Sequence, residues 1–154
     1  MSLFDFFKSK KKSSSSDGIV GIMITLDIDK EQVLFVLLAK DGSINRLGTG
    51  SEDNTEKDLF IGVTNTKVFE LVRKKCSPVI DEWIGGFVAP EIIGKSCTLV
   101  IGFQTSDGKE LMSQWNYGSK SQGPPPAVAS VVIESVQATE IWFQNQKKMT
   151  KSSN

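Results

Sequence analysis

The sequence predicts an α+β fold, a mainly antiparallel sheet of about six strands with two principal helices packed on it. Three observations lead there. Short segments dense in β-branched and aliphatic residues recur between polar turns. Asp-Gly pairs at Asp41-Gly42 and Asp107-Gly108 separate such segments, a strong hairpin signal. Two stretches, one after Thr64 and one from Pro126, switch to the three-four spacing of a helix. The predicted order is β-β-β-β-α-β-β-α.

The strands begin with IVGIMITLDI (19–28) and EQVLFVLLAK (31–40), joined by a tight turn. In the second strand Val33, Phe35, Leu37 and Ala39 alternate with Leu34, Val36 and Leu38, so both faces are apolar. Such a strand is expected to be central and covered on both sides. Asp41-Gly42 predicts a type I′ hairpin into SINRLGTG. A polar loop (48–58) precedes the short strand LFIGV (59–63). The run 64–86 reads as helix, with Val68, Leu71, Val72, Cys76, Val79, Ile80 and Trp83 on one face. Residues 64–66 supply its cap. Ser77-Pro78 predicts a kink or a second helix, and Gly85-Gly86 predicts its end. FVAPEIIGKS (87–96) reads as a connection. The last helix is expected to start at Pro126, with Val128, Val132, Val136, Ala129, Ile133 and Ile141 as its apolar positions. Its many valines leave a strand reading open.

Charge is distributed unevenly. The formal net charge is zero, but residues 1–16 carry +3, residues 147–154 carry +3 and the body between them carries −6. The domain reading is therefore a basic, aromatic leader (1–16), one α+β domain (17–147) and a polar basic tail (148–154). An acidic body is a poor match for phosphate, which predicts no nucleic-acid partner. No stretch of the sequence is long and apolar enough to span a bilayer. The apolar start is short, and Lys8 to Lys12 follow it, which argues against a secretory signal. With two cysteines, Cys76 and Cys97, the expectation is reduced, buried thiols in a cytoplasmic protein.

There is no histidine. That removes imidazole-based nucleophilic sites, proton shuttles and histidine-ligated metals. The cysteines lack CxxC spacing, and no phosphate-binding glycine loop occurs. Asp27 and Asp29 could hold a hard cation, but they fall where a strand turns, where acidic residues serve local hydrogen bonds. Asp81, Glu82, Glu134 and Glu140 read as solvated helix faces. No cofactor or metal is expected, and catalysis, if present, would rest on carboxylates.

The second Asp-Gly hairpin holds the candidate site. A two-residue turn pairs Phe103 with Met112 and Val100 with Trp115. Leu99, Ile101, Phe103 and Met112 then form the core face, and Trp115 and Tyr117 lie on the other beside Gly102. Trp115 is either a partner platform or a ring packed under a helix. The loop 116–126 (NYGSKSQGPPP) follows, rich in glycine and serine and ending in three prolines. It reads as a stiff crossover or as a recognition segment. The partner-binding candidates are Trp115, Tyr117, Lys120, Pro124 and Pro125.

Leu3, Phe4, Phe6 and Phe7 crowd the leader, followed by four lysines and four serines. On a helix Leu3, Phe6 and Phe7 share one face. Docking on the domain or a partner, a loose leader, and weak contact with an anionic membrane are the three readings. The expected function is a small, non-enzymatic protein-binding module, an acidic partner for a basic protein. Immunity proteins offer an analogy of charge and size. The alternatives are a small carboxylate-dependent enzyme and a peripheral membrane adaptor using residues 1–12.

Overall fold

The computed structural model describes residues 18–76 and 83–152. The leader residues Leu3, Phe4, Phe6 and Phe7, the Ser77-Pro78 signal and Asp81-Glu82 lie outside the described residues. Among the described residues the class is α+β, with a mostly antiparallel sheet of seven strands and two helices. In chain order these are β1 (Ile19–Ile28), β2 (Glu31–Ala39), β3 (Ser43–Leu47), β4 (Phe60–Val63), α1 (Lys67–Arg73), β5 (Gly85–Val88), β6 (Ser96–Thr105), β7 (Glu110–Gly118) and α2 (Pro126–Ser152). The sheet order is β4-β3-β2-β1-β6-β7-β5.

The meander β1-β2-β3-β4 forms as its turns require. Asp29 and Lys30 both take positive φ, the signature of a two-residue type I′ turn. Asp41-Gly42 does otherwise. Only Gly42 has positive φ, and its N–H donates to the Ala39 carbonyl at 3.0 Å. The loop therefore holds three residues, Lys40 to Gly42, with the glycine in the left-handed position. Asp107-Gly108 repeats this arrangement: Gly108 N–H donates to the Thr105 carbonyl, and Thr105 N–H to the Lys109 carbonyl.

That extra residue corrects the expected register. Phe103 pairs with Leu111, Gly102 with Met112, Ile101 with Ser113 and Leu99 with Trp115. A one-residue slip moves every side chain of the strand to the opposite face. Trp115 and Tyr117 thus join Leu99, Ile101 and Phe103 on the core face, and Met112 turns away from it. Gly102 leaves no gap beside Trp115. It faces Met112 and Met23 instead.

Three further expectations change. In the described part of the run after Thr64 the helix spans Lys67–Arg73, its N-cap is Thr66 with no side-chain cap hydrogen bond, and the Asn65 side-chain oxygen accepts the Lys67 N–H at 3.0 Å; residues 77–82 of the expected helix lie outside the described residues. Gly85-Gly86 belongs to a strand, β5, which runs parallel to β7 at the sheet edge. On α2 the fully buried stripe is Val128, Val131, Ser135, Thr139 and Phe143, whereas Ile133 and Ile141 are exposed. The helix also continues through residues 148–152.

The core lies between one sheet face and the two helices. Ile22, Ile24 and Leu26 of β1, Leu34, Val36 and Leu38 of β2, and Leu99, Ile101 and Phe103 of β6 meet Val68, Phe69 and Val72 of α1 and Val128 and Val131 of α2. Strand β2 is central, as its sequence demands, but the helices lie on this one face. The other set, Phe35, Leu37 and Ala39, is half-buried. Cys76 and Cys97 are free and buried, and burial pushes the Cys76 thiol up to about 12, so it stays protonated and inert.

Candidate functional site

The site is built at the β7/β5 edge of the covered sheet face. β7 presents Trp115 and Tyr117 by alternation, and β5 lies beside it with Phe87 opposite Trp115. The Phe87 and Trp115 rings stack, 5.6 Å between centroids and 12° between planes. Trp115 is 5% exposed and Phe87 40%, so the indole is the floor and the phenyl ring the rim. Trp83 is buried behind them, 6.1 Å from the Phe103 ring. The opposite wall comes from the triple proline and from Val128 in the first turn of α2. Pro126 opens that helix, and Pro125 accepts the N–H groups of Val128 and Ala129.

Together these residues enclose a pocket of about 490 Å³, the size of a small-ligand or side-chain cleft. Its described lining is aromatic, aliphatic and proline-rich, with Asn116 and Gln122 as amides and no charged residue among the described residues. Burial raises the Tyr117 hydroxyl from its ordinary value near 10 to about 12, with a smaller push from Cys97. Among the described residues the lining holds no carboxylate or thiol. Among the described residues no group of three or more His, Cys, Asp or Glu could hold a metal ion.

Two loops fix the mouth. Ser119 N–H donates to the Lys95 carbonyl, Lys120 N–H to the Ile93 carbonyl, and the Ser121 hydroxyl accepts from Ile93 N–H at 2.7 Å and Gly118 N–H at 3.1 Å. The backbones approach so closely that a Cβ on Gly118 would lie 2.1 Å from the Ile93 oxygen. Only glycine fits there. The crossover 116–126 is thus a braced wall, which its serines and glycines suit by hydrogen bonding at short range.

Of the candidates drawn from sequence, Trp115, Tyr117, Pro124 and Pro125 come together in the lining. Lys120 does not; it is exposed on the outside of the loop. Asp27 and Asp29 form no cluster, and Asp29 accepts the Ser96 N–H across the strand ends at 3.3 Å. The sequence did not mark Trp83 and Phe87 as site residues, whereas Asn116 and Gln122 lie in the loop 116–126 that it offered as a recognition segment. The signal for Phe87 was present in the apolar FVA that follows Gly85-Gly86, but four residues are too few to show alternation.

The opposite end of the same face is closed by a cation. Arg46, on β3, is fully buried. Its Nε donates to the Gly48 carbonyl at 2.9 Å, and Nη1 donates to Thr139 Oγ1 at 2.8 Å and to the Val136 carbonyl at 3.3 Å. Nη2 lies 3.3 Å from Glu140 Oε2, and the guanidinium sits 4.2 Å from the Phe143 ring centroid. Desolvation lowers its pKa, opposed by Glu140. Lys147 lies 4.8 Å from the same ring and pairs with Glu56 at 2.8 Å. Glu140, expected on a solvated face, is thus a structural partner. Gly62 of β4 lets the Trp142 indole approach the strand. This cluster pins α2 against the sheet and so holds its proline-bearing start over Trp115.

No protein-family model matches the chain, and no curated protein matches it either. Among the described residues, no helix is long and apolar enough to cross a membrane.

Proposed function

We propose that the chain is a small binding module that takes an apolar side chain of a protein partner into the Trp115–Phe87 pocket. The observation that carries this reading is an uncharged aromatic pocket beside an exposed strand. β5 is the sheet edge, and its residues are all exposed. An edge strand offers backbone groups to an added peptide strand, and alternate side chains of that peptide reach neighbouring pockets. Phe87 and Pro124 to Pro126 would grip such a side chain from both sides. The net charge of −6 on residues 17–146 favours the approach of a basic partner, as expected for an acidic inhibitor acting in a cytoplasm. Recognition is the work proposed for the pocket, supported by an aromatic, proline-rich lining that among the described residues carries no carboxylate or thiol.

A displayed random-peptide library selected on the folded protein tests the reading. Selected peptides should share one apolar anchor flanked by basic residues. Their binding should vanish on Phe87→Ala and Val88→Asp without a change in melting temperature. Selection of peptides that lack an apolar anchor, or that bind Phe87→Ala as well as the parent, would refute it.

A further inference from the structure

The face of the sheet turned away from the described helices is an apolar feature that the pocket does not use. One row across it reads Ile61, Asn45, Leu37, Met23, Gly102, Met112 from β4 to β7, each residue beside the next in register. The adjacent row reads Leu47, Phe35, Thr25, Val100 and Gln114. Neither row contains a charged residue. Ile61 is 69% exposed and Met112 50%. β2 is apolar on both faces, the pattern of a strand covered on both sides, yet both described helices pack on the other one.

The two ends of this face have opposite relief. At the β4 end Ile61 and Val63 project from an edge strand. At the β7/β5 end Gly85 and Gly86 carry no side chains and leave a notch of about 360 Å³, walled by Val100, Met112 and Gln114. A projection at one end and a notch at the other make the face complementary to its own image turned about a two-fold axis along the strands.

We propose that this face is the interface of a homodimer, two sheets packed face to face. The axis lies between β2 and β1, the centre of the row. It sets Leu37 of each copy over Met23 of the other, and the Ile61 edge of each over the Met112 notch of the other. Sheets packed in this way lie about 10 Å apart, and isologous pairing is the common form of a symmetric dimer. Six strands span roughly 29 Å, which with strands of this length gives on the order of 800 Å² per copy, the area of a standard stable interface. The two central rows lack charge, and the acidic Asp27 and Glu110 lie at the margins of the face, which suits a second copy of the same chain, whereas a basic partner would need acidic groups at the centre of the contact. The interface lies on the side opposite the helices, so each dimer would carry two open Trp115 pockets and bind a bivalent target with avidity.

Sedimentation velocity of the full chain up to about 100 μM tests this, a range that reveals micromolar dimers. The wild type should sediment as a dimer. Ile61→Lys and Met112→Lys, both at exposed positions, should each weaken the dimer at least tenfold while far-UV circular dichroism and melting temperature stay unchanged. Phe87→Ala should leave the dimer intact, which keeps this result separate from that of the pocket. A monomer across the whole range would overturn the proposal, as would a dimer indifferent to both lysine variants. A monomer that dimerises once residues 2–16 are deleted would overturn it too, and would assign the face to the leader.

Discussion

The two ends of the helix-covered sheet face are built from opposite chemistry. At the β3/β4 end the space under α2 is filled by a guanidinium with donors to Gly48, Val136, Thr139 and Glu140 and a ring beneath it. At the β7/β5 end the same helix starts above two stacked rings, and a pocket remains. A buried charge is tolerable only when its hydrogen bonds are met, so the Arg46 end has one tight arrangement. Rings and prolines have few polar demands, so the Trp115 end can stay open without leaving groups unsatisfied. The first end fixes the helix, and the second is free to receive something.

Substitutions break this comparison in graded steps. Trp115→Ala removes a buried ring from the floor and should cost about 3–5 kcal/mol, read as a fall in the denaturation midpoint. A loss under about 1 kcal/mol would show that the ring is not packed as described. Arg46→Ala should cost about 3 kcal/mol, because it removes the cation–ring contact, opens a cavity and takes from Thr139 Oγ1 the N–H it accepts, leaving only its donation to the Ser135 and Val136 carbonyls. Glu140 is left without its cation, but it is half-exposed and remains hydrated, which keeps the effect below that of a wholly buried pair.

Alkaline titration probes the pocket end alone, because Tyr117 is the sole tyrosine. Tyrosinate absorbance should rise with a midpoint near 12 instead of 10. Folding favours the neutral hydroxyl, so its contribution to stability is complete below pH 10 and is lost as pH rises towards 12. The decline should approach roughly 1.4 kcal/mol per pH unit inside that window. A midpoint near 10 would mean that water reaches the ring freely. Thr139→Val should be milder, about 1–2 kcal/mol, as one buried guanidinium N–H loses its nearest acceptor. Phe87→Ala should be mildest, under about 1 kcal/mol, since the ring is on the rim.

The Arg46 end shows why sequence revealed the sheet better than the site. The strands β1 to β4, β6 and β7 announce themselves by β-branched runs and turn residues. The α2 stripe does not, because Ser135 and Thr139 look like surface residues until a buried arginine makes them useful. At the other end Trp115, Tyr117, Pro124 and Pro125 were legible as neighbours along the chain, yet their facing was reversed. Asp-Gly suits both a two-residue and a three-residue loop, and the choice depends on whether Asp107 itself adopts positive φ, which it does not. Strand β5 was hidden because Gly85-Gly86 resembles a helix stop, and a parallel edge strand forms only through its partner, β7. Phe87 enters the site by that long-range pairing, which no local pattern encodes.

The most direct measurement of the division between the ends is the dissociation constant of one selected apolar-anchored peptide for Phe87→Ala and for Thr139→Val. Phe87→Ala should weaken binding at least tenfold, as loss of an aromatic anchor does, while the melting temperature stays within about 2 °C of the parent. Thr139→Val should lower the melting temperature by several degrees, at about 1–2 kcal/mol, with the dissociation constant unchanged. Unaltered binding by Phe87→Ala, or an equal loss of binding in Thr139→Val, would contradict that division.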